Sequence, residues 1–166
     1  MDLSYTIYDT APFDDTGGET FTLFRVAQGG DTTHTKSFTN ARGAGQFPAE
    51  ESFLVNKICV WVDDDATAAD MAALWENSYL EFRVRDETML LSPLSEFAAN
   101  GAYGGHYSEA SASDEAIIGK AGNGRVLEIP VNIPGGTTFR VDVYQGAAMS
   151  ADPINVKVAL YGTLTR

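Results

Sequence analysis

The chain reads as all-β, an antiparallel β-sandwich of jelly-roll type with about eight strands and one short inserted helix. Three observations predict it. The C-terminal third holds three segments, Arg125–Ile133, residues 137–145 and Ile154–Thr165, in which apolar residues recur at every second position. Glycine, at 16 of 166 residues, and aromatics, at 11%, are abundant, as tight turns and strands require. Helical spacing is carried by one short stretch, Ala68–Asn77, through Met71, Leu74 and Trp75. A period of two sends alternate side chains to opposite faces, so each strand turns one face to a core and the other to water or a partner.

Taken in order, residues 1–19 are polar and irregular, with Tyr5, Ile7, Tyr8 and Phe13 as isolated apolar points. They are read as an N-terminal arm, either packed on a neighbouring surface or disordered, ahead of one domain over residues 20–166. Residues 20–27 (TFTLFRVA) make the first strand, and residues 35–39 a second short one. Residues 40–51 (NARGAGQFPAEE) form a glycine-rich loop anchored by Phe47, with Pro48 imposing an extended or turned entry. Residues 53–62 are apolar on both faces, with Phe53, Val55, Cys59 and Trp61 on one and Leu54, Ile58, Val60 and Val62 on the other. That pattern predicts a central, covered strand. Thr67 followed by Asp70 resembles a capping box at the start of the helix, with Asp in place of the usual Glu.

Residues 79–85 and 88–92 read as a hairpin turning at Asp86 and Glu87. Residues 93–124 are long, irregular and glycine-rich, with a brief strand at 116–118, and a segment of that length in a compact domain usually carries function or contacts. In the first C-terminal strand Leu127, Ile129, Val131 and Ile133 are expected on one face. Phe139, Val141 and Val143 do the same in the second, and Ile154, Val156, Val158, Leu160 and Leu164 in the third. The turn Pro134-Gly135-Gly136 and residues 146–153 connect them. A last strand running almost to Arg166 is expected to have its end tied down.

The length fits one domain, and no apolar run is long enough for a transmembrane helix. The N-terminus lacks a basic region followed by an apolar core, and the single cysteine, Cys59, has no internal partner for a disulfide. Synthesis in the cytoplasm is expected. Net charge is −12, from 23 acidic against 11 basic residues, and the basic ones are scattered. Direct grip on a phosphate backbone needs clustered Lys and Arg, so direct nucleic-acid binding is not expected. An acidic surface also keeps a concentrated or saline protein soluble.

The sequence assembles no catalytic, cofactor or metal site, and the chain is expected not to be an enzyme and to need no cofactor. Two histidines, His34 and His106, sit in polar loop sequence without a nucleophile at a recognisable spacing. Cys59 lies mid-strand, where a thiol behaves as a small buried apolar group. Asp63, Asp64 and Asp65 supply oxygens for a hard cation but lack the glycine and glutamate of an EF-hand, and negative charge ahead of a helix favours capping instead. The run GKAGNGR over residues 119–125 has the glycines of a phosphate loop without its Lys-Ser/Thr pair or a following helix, so a turn is expected. Glu81 and Glu128 face outward from strands and do not form an acid–base pair.

Several short motifs follow in a fixed order: Thr39-Asn40, Gly45 to Pro48, the strand opening Phe53, Val55 and Ile58, residues 79–84, Ser92-Pro93-Leu94, residues 129–134, and the closing Val158, Leu160, Gly162, Leu164 and Arg166. Their order resembles that of the single-jelly-roll capsid proteins of tailless icosahedral bacteriophages. The resemblance covers residues 37–166. It implies a virion structural protein, a major or minor capsid subunit that builds the shell by self-association into trimers or larger assemblies with other capsid proteins. The arm, residues 40–51 and residues 93–124 would supply the contacts. The competing expectation is a decoration protein or a carbohydrate- or receptor-binding sandwich on a virion, with Tyr103, Tyr107 and Tyr144 lining its groove.

Overall fold

A computed structural model describes residues 1–62, 66–99, 123–150 and 153–166. Eight strands lie in chain order: β1 (Asp2–Phe13), β2 (Glu19–Leu23), β3 (Ser52–Val62), β4 (Tyr79–Val84), β5 (Glu87–Pro93), β6 (Arg125–Ile133), β7 (Phe139–Gln145) and β8 (Ile154–Thr165). One helix, α1 (Ala68–Asn77), joins β3 to β4, and a 3-10 turn, Leu94–Phe97, follows β5. The strands form two four-stranded antiparallel sheets ordered β1-β8-β3-β6 and β2-β7-β4-β5. The all-β, antiparallel sandwich is therefore the architecture of the described chain.

Alternation carries the core. Ile7, Ala11 and Phe13 of β1, Leu80, Phe82 and Val84 of β4, Phe139, Val141 and Val143 of β7 and Ile154, Val156, Val158 and Leu160 of β8 are buried between the sheets. Phe47 joins them from the loop before β3, its ring 5.6 Å from Phe139 and 5.3 Å from Phe53. Helix α1 forms as its sequence dictates. Thr67 accepts from the Asp70 N–H and the Asp70 carboxylate accepts from the Thr67 N–H, while Leu74 and Trp75 are buried. The hairpin β4–β5 turns through Arg85, at φ +58, and Asp86.

Four expectations are corrected. Residues 1–19 are not an arm: most of them are β1, paired to β8 from Asp2↔Thr165 to Phe13↔Ile154. Its apolar residues looked isolated because Asp9 and Thr10, both buried, break the pattern. The strand expected at 20–27 ends at Leu23, because Phe24 takes φ +66 and gives its N–H to the Asp9 carboxylate rather than to a neighbouring strand. Residues 35–39 form a turn instead of a strand. Phe38 and Thr39 both donate to the Thr35 carbonyl, and short hydroxyl side chains such as Thr39 bond to nearby backbone, which competes with sheet pairing.

The fourth correction concerns faces. β3 was expected to be covered on both sides, yet Leu54 is exposed and Trp61 half-buried. A bulge between Val55 and Lys57 resets the alternation, so Phe53 and Val55 and then Ile58, Val60 and Val62 all reach the core. β6 behaves similarly. Leu127 and Ile133 are buried, but Ile129 is 83% exposed and does not share their face. Pairing of β6 with β3 lapses between Val126 and Val131, where Pro130 lacks a donor for the ladder. The brief strand expected at 116–118 lies outside the described residues.

Candidate functional site

The outer face of β1-β8-β3 carries the candidate site, a groove of ≈ 410 Å³ whose lining includes Thr6, Tyr8, Trp61, Lys157, Ala159 and Tyr161. Sheet register builds it. Trp61 lies opposite Lys157 and Lys57 opposite Tyr161, so aromatic and cationic side chains alternate across β3 and β8. Tyr8 lies opposite Ala159, whose small side chain leaves the floor low between the rings. The Trp61 and Tyr161 rings are 6.1 Å apart at 57°. The Lys57 ammonium stands 5.4 Å from the centre of the Tyr161 ring and the Lys157 ammonium 5.3 Å from that of Tyr8. Lys157 also donates to the Ser37 carbonyl at 2.8 Å, and the Tyr8 hydroxyl donates to the Lys36 carbonyl. Burial raises the Tyr161 phenol above its usual pKa, so it stays a neutral hydroxyl across the physiological range.

Among the described residues, those weighed from sequence do not gather here. His34 is held in its loop, with ring and backbone nitrogens against the Asp31 carboxylate, which that contact lowers below its ordinary pKa. Cys59 is buried with its thiol 3.6 Å from the Asn123 carbonyl, and burial pushes its pKa up, away from thiolate chemistry. Glu81 accepts from Thr88 and pairs with Arg83 at 2.9 Å; these bonds hold its carboxyl below the usual value, the reverse of what a general acid needs. Glu128 is exposed on β6. Tyr144 stacks on Tyr79 at 4.8 Å, on the other sheet. No group of three metal-ligating side chains gathers among the described residues. His106, Tyr103, Tyr107, Asp63, Asp64, Asp65 and residues 119–122 lie outside the described residues.

Sequence reasoning missed the groove. Trp61 and Tyr161 are a hundred residues apart, and only the bulge in β3 sends Trp61 outward on the same face as Lys57. Alternation within β8 did place Lys157 on the non-core face, which was the one available signal.

A second feature is the contrast between the two open sides of the sandwich. Beside β1, Asn40 accepts from the Tyr8 N–H and donates to the Thr6 carbonyl, both at 2.8 Å, and Thr10 donates to the Phe38 carbonyl. Residues 38–40 thus cover that edge. On the opposite side Arg125 of β6 reaches Ser92 of β5 at 2.6 Å and also Glu96, holding the two end strands together. Those strands carry exposed apolar side chains: Ile129 and Val126 on β6, Leu91 and Met89 on β5.

Compared with known proteins, the chain matches no family model, no curated protein and no solved structure. No described helix is long and apolar enough to cross a membrane.

Proposed function

We propose that the chain is a jelly-roll capsid subunit, a virion structural protein that builds a shell by self-association. The nested pairing supports the jelly-roll reading: β1 with β8, β2 with β7, β3 with β6 and β4 with β5, the pattern made by rolling one long hairpin over itself. The observation that carries the self-association is the apolar β5–β6 side. Exposed apolar residues clustered on end strands are a hazard in a monomer and an asset in a lattice of copies. The motif residues that resemble phage capsid proteins serve the fold: Asn40 covers β1, Phe47 enters the core, and Arg166 pairs with Glu51 at 2.8 Å.

Under this reading copies meet through the β5–β6 side, with other capsid proteins completing the shell, and no cofactor or catalytic step is required. The test compares wild-type chain with Ile129→Asp by sedimentation and electron microscopy at rising concentration. Because Ile129 is 83% exposed, the variant is expected to fold with an unchanged melting temperature but to remain monomeric where the wild type associates. A wild-type chain that stays monomeric at every concentration, and forms no particles with its partners, would overturn the proposal.

A further inference from the structure

The groove on β1-β8-β3 has a chemistry that shell building does not use. We infer that it binds an acidic saccharide, a pyranose carrying a carboxylate or sulfate. The inference does not rest on the capsid reading. The rings of Tyr8, Trp61 and Tyr161 offer apolar platforms of the kind on which the C–H face of a sugar packs, while Lys157 supplies a donor at the rim. The volume of ≈ 410 Å³ falls in the ~300–1,000 Å³ span of small-ligand sites.

Charge selects the acid. In a chain of net charge −12, the cations that meet carboxylates are arginines: Arg42, Arg83, Arg125, Arg140 and Arg166 all do so. Lys57 and Lys157 meet none among the described residues and stand over aromatic rings on one face instead. The groove lining among the described residues contains no acidic side chain. An anionic substituent seated beside the rings would therefore find the Lys157 ammonium in the lining, bonded to the neutral Ser37 carbonyl, and no carboxylate competing among the described lining residues, while Lys57 stands against the Tyr161 ring outside that lining. Single-stranded nucleic acid also combines stacking with charge, but it needs a track of cations along successive platforms. Two lysines and one aromatic cluster provide a single station.

The test uses the full chain with tetrasaccharides of galacturonate, alginate and chondroitin sulfate, each beside its methyl-esterified or desulfated form, and with a thymidine tetranucleotide. Tryptophan fluorescence and calorimetry read binding. At least one charged saccharide is expected to bind, its neutralised form at least tenfold more weakly, with affinity falling as salt rises. The K57Q/K157Q double variant should lose at least tenfold in affinity at an unchanged melting temperature, and K157R should regain part of it. No binding by any charged saccharide, equal binding by the neutralised forms, tighter binding of the tetranucleotide, or an unaffected double variant would each overturn the inference. Should the double variant melt early, the salt series and the neutralised ligands on wild-type protein decide alone.

Discussion

Two buried aspartates show how burial and hydrogen bonding pull a carboxyl in opposite directions. Burial drives Asp9 above its ordinary pKa of 3.8, against the N–H groups of Phe24 and Thr10 that favour the charge. Folding therefore favours the protonated form. The contribution is largest below 3.8 and declines as pH rises from 3.8 through the folded value. Urea unfolding of wild type and Asp9→Asn between pH 3 and 7 should show wild type losing ground to the variant as pH rises. Asp9→Ala, which orphans the buried Phe24 N–H, should cost ~2 kcal/mol at the acid end of that range and progressively less as pH rises. At Asp70 burial also works upward, but the Ser150 N–H and hydroxyl and the Thr67 donors outweigh it and bring the carboxyl below 3.8. Its contribution is present above 3.8 and is lost as pH falls through the folded value. Asp70→Ala removes a helix cap and the tether to Ser150 together, so a loss of ~1–2 kcal/mol is expected near neutrality in the same unfolding measurement.

At the level of elements, the bulge in β3 and Gly162 of β8 form one device. Gly162 sits between Tyr5 and Val55 in the register, beside the bulge, and a Cβ there would press into the Leu54 carbonyl. A bulge bends its strand locally, and at this one the two backbones lie too close for a side chain at position 162. Gly162→Ala is expected to cost ~1–3 kcal/mol by overpacking against backbone that has nowhere to move. A variant whose unfolding midpoint in urea equals that of wild type would show that the strands can separate without penalty. The same bulge decides where Trp61 points, so the variant is also expected to alter its fluorescence.

Across the whole molecule, net charge of −12 per copy makes neighbours in a lattice repel through any wet contact. That repulsion is screened over ~8–10 Å at ordinary ionic strength. On the proposed reading the β5–β6 side would meet its neighbour through Met89, Leu91, Val126 and Ile129, exposed apolar residues, with the exposed Glu87 and Glu128 on the same strands left to the wet rim. Assembly is accordingly expected to strengthen with added salt or divalent cations. Light scattering across a salt series, with and without a chelator, checks this. Particles that dissociate steadily as salt rises would instead show a lattice held by complementary ion pairs.

The sequence by itself determined the all-β class, the helix over Ala68–Asn77 with its cap, the β4–β5 hairpin, and the limits of β6 and β8, because each is written in local periodicity and capping chemistry. It did not determine β1, whose inward Asp9 takes an N–H from Phe24, fifteen residues away, as well as from its neighbour Thr10, nor the end of β2, which the Phe24 bond sets. Nor did it determine which faces of β3 and β6 are covered, since a bulge reverses alternation without leaving a mark in composition. The groove and the apolar open side were decided by tertiary structure alone. Both depend on the register between strands distant in sequence, and register is fixed only when the two sheets close over a common core.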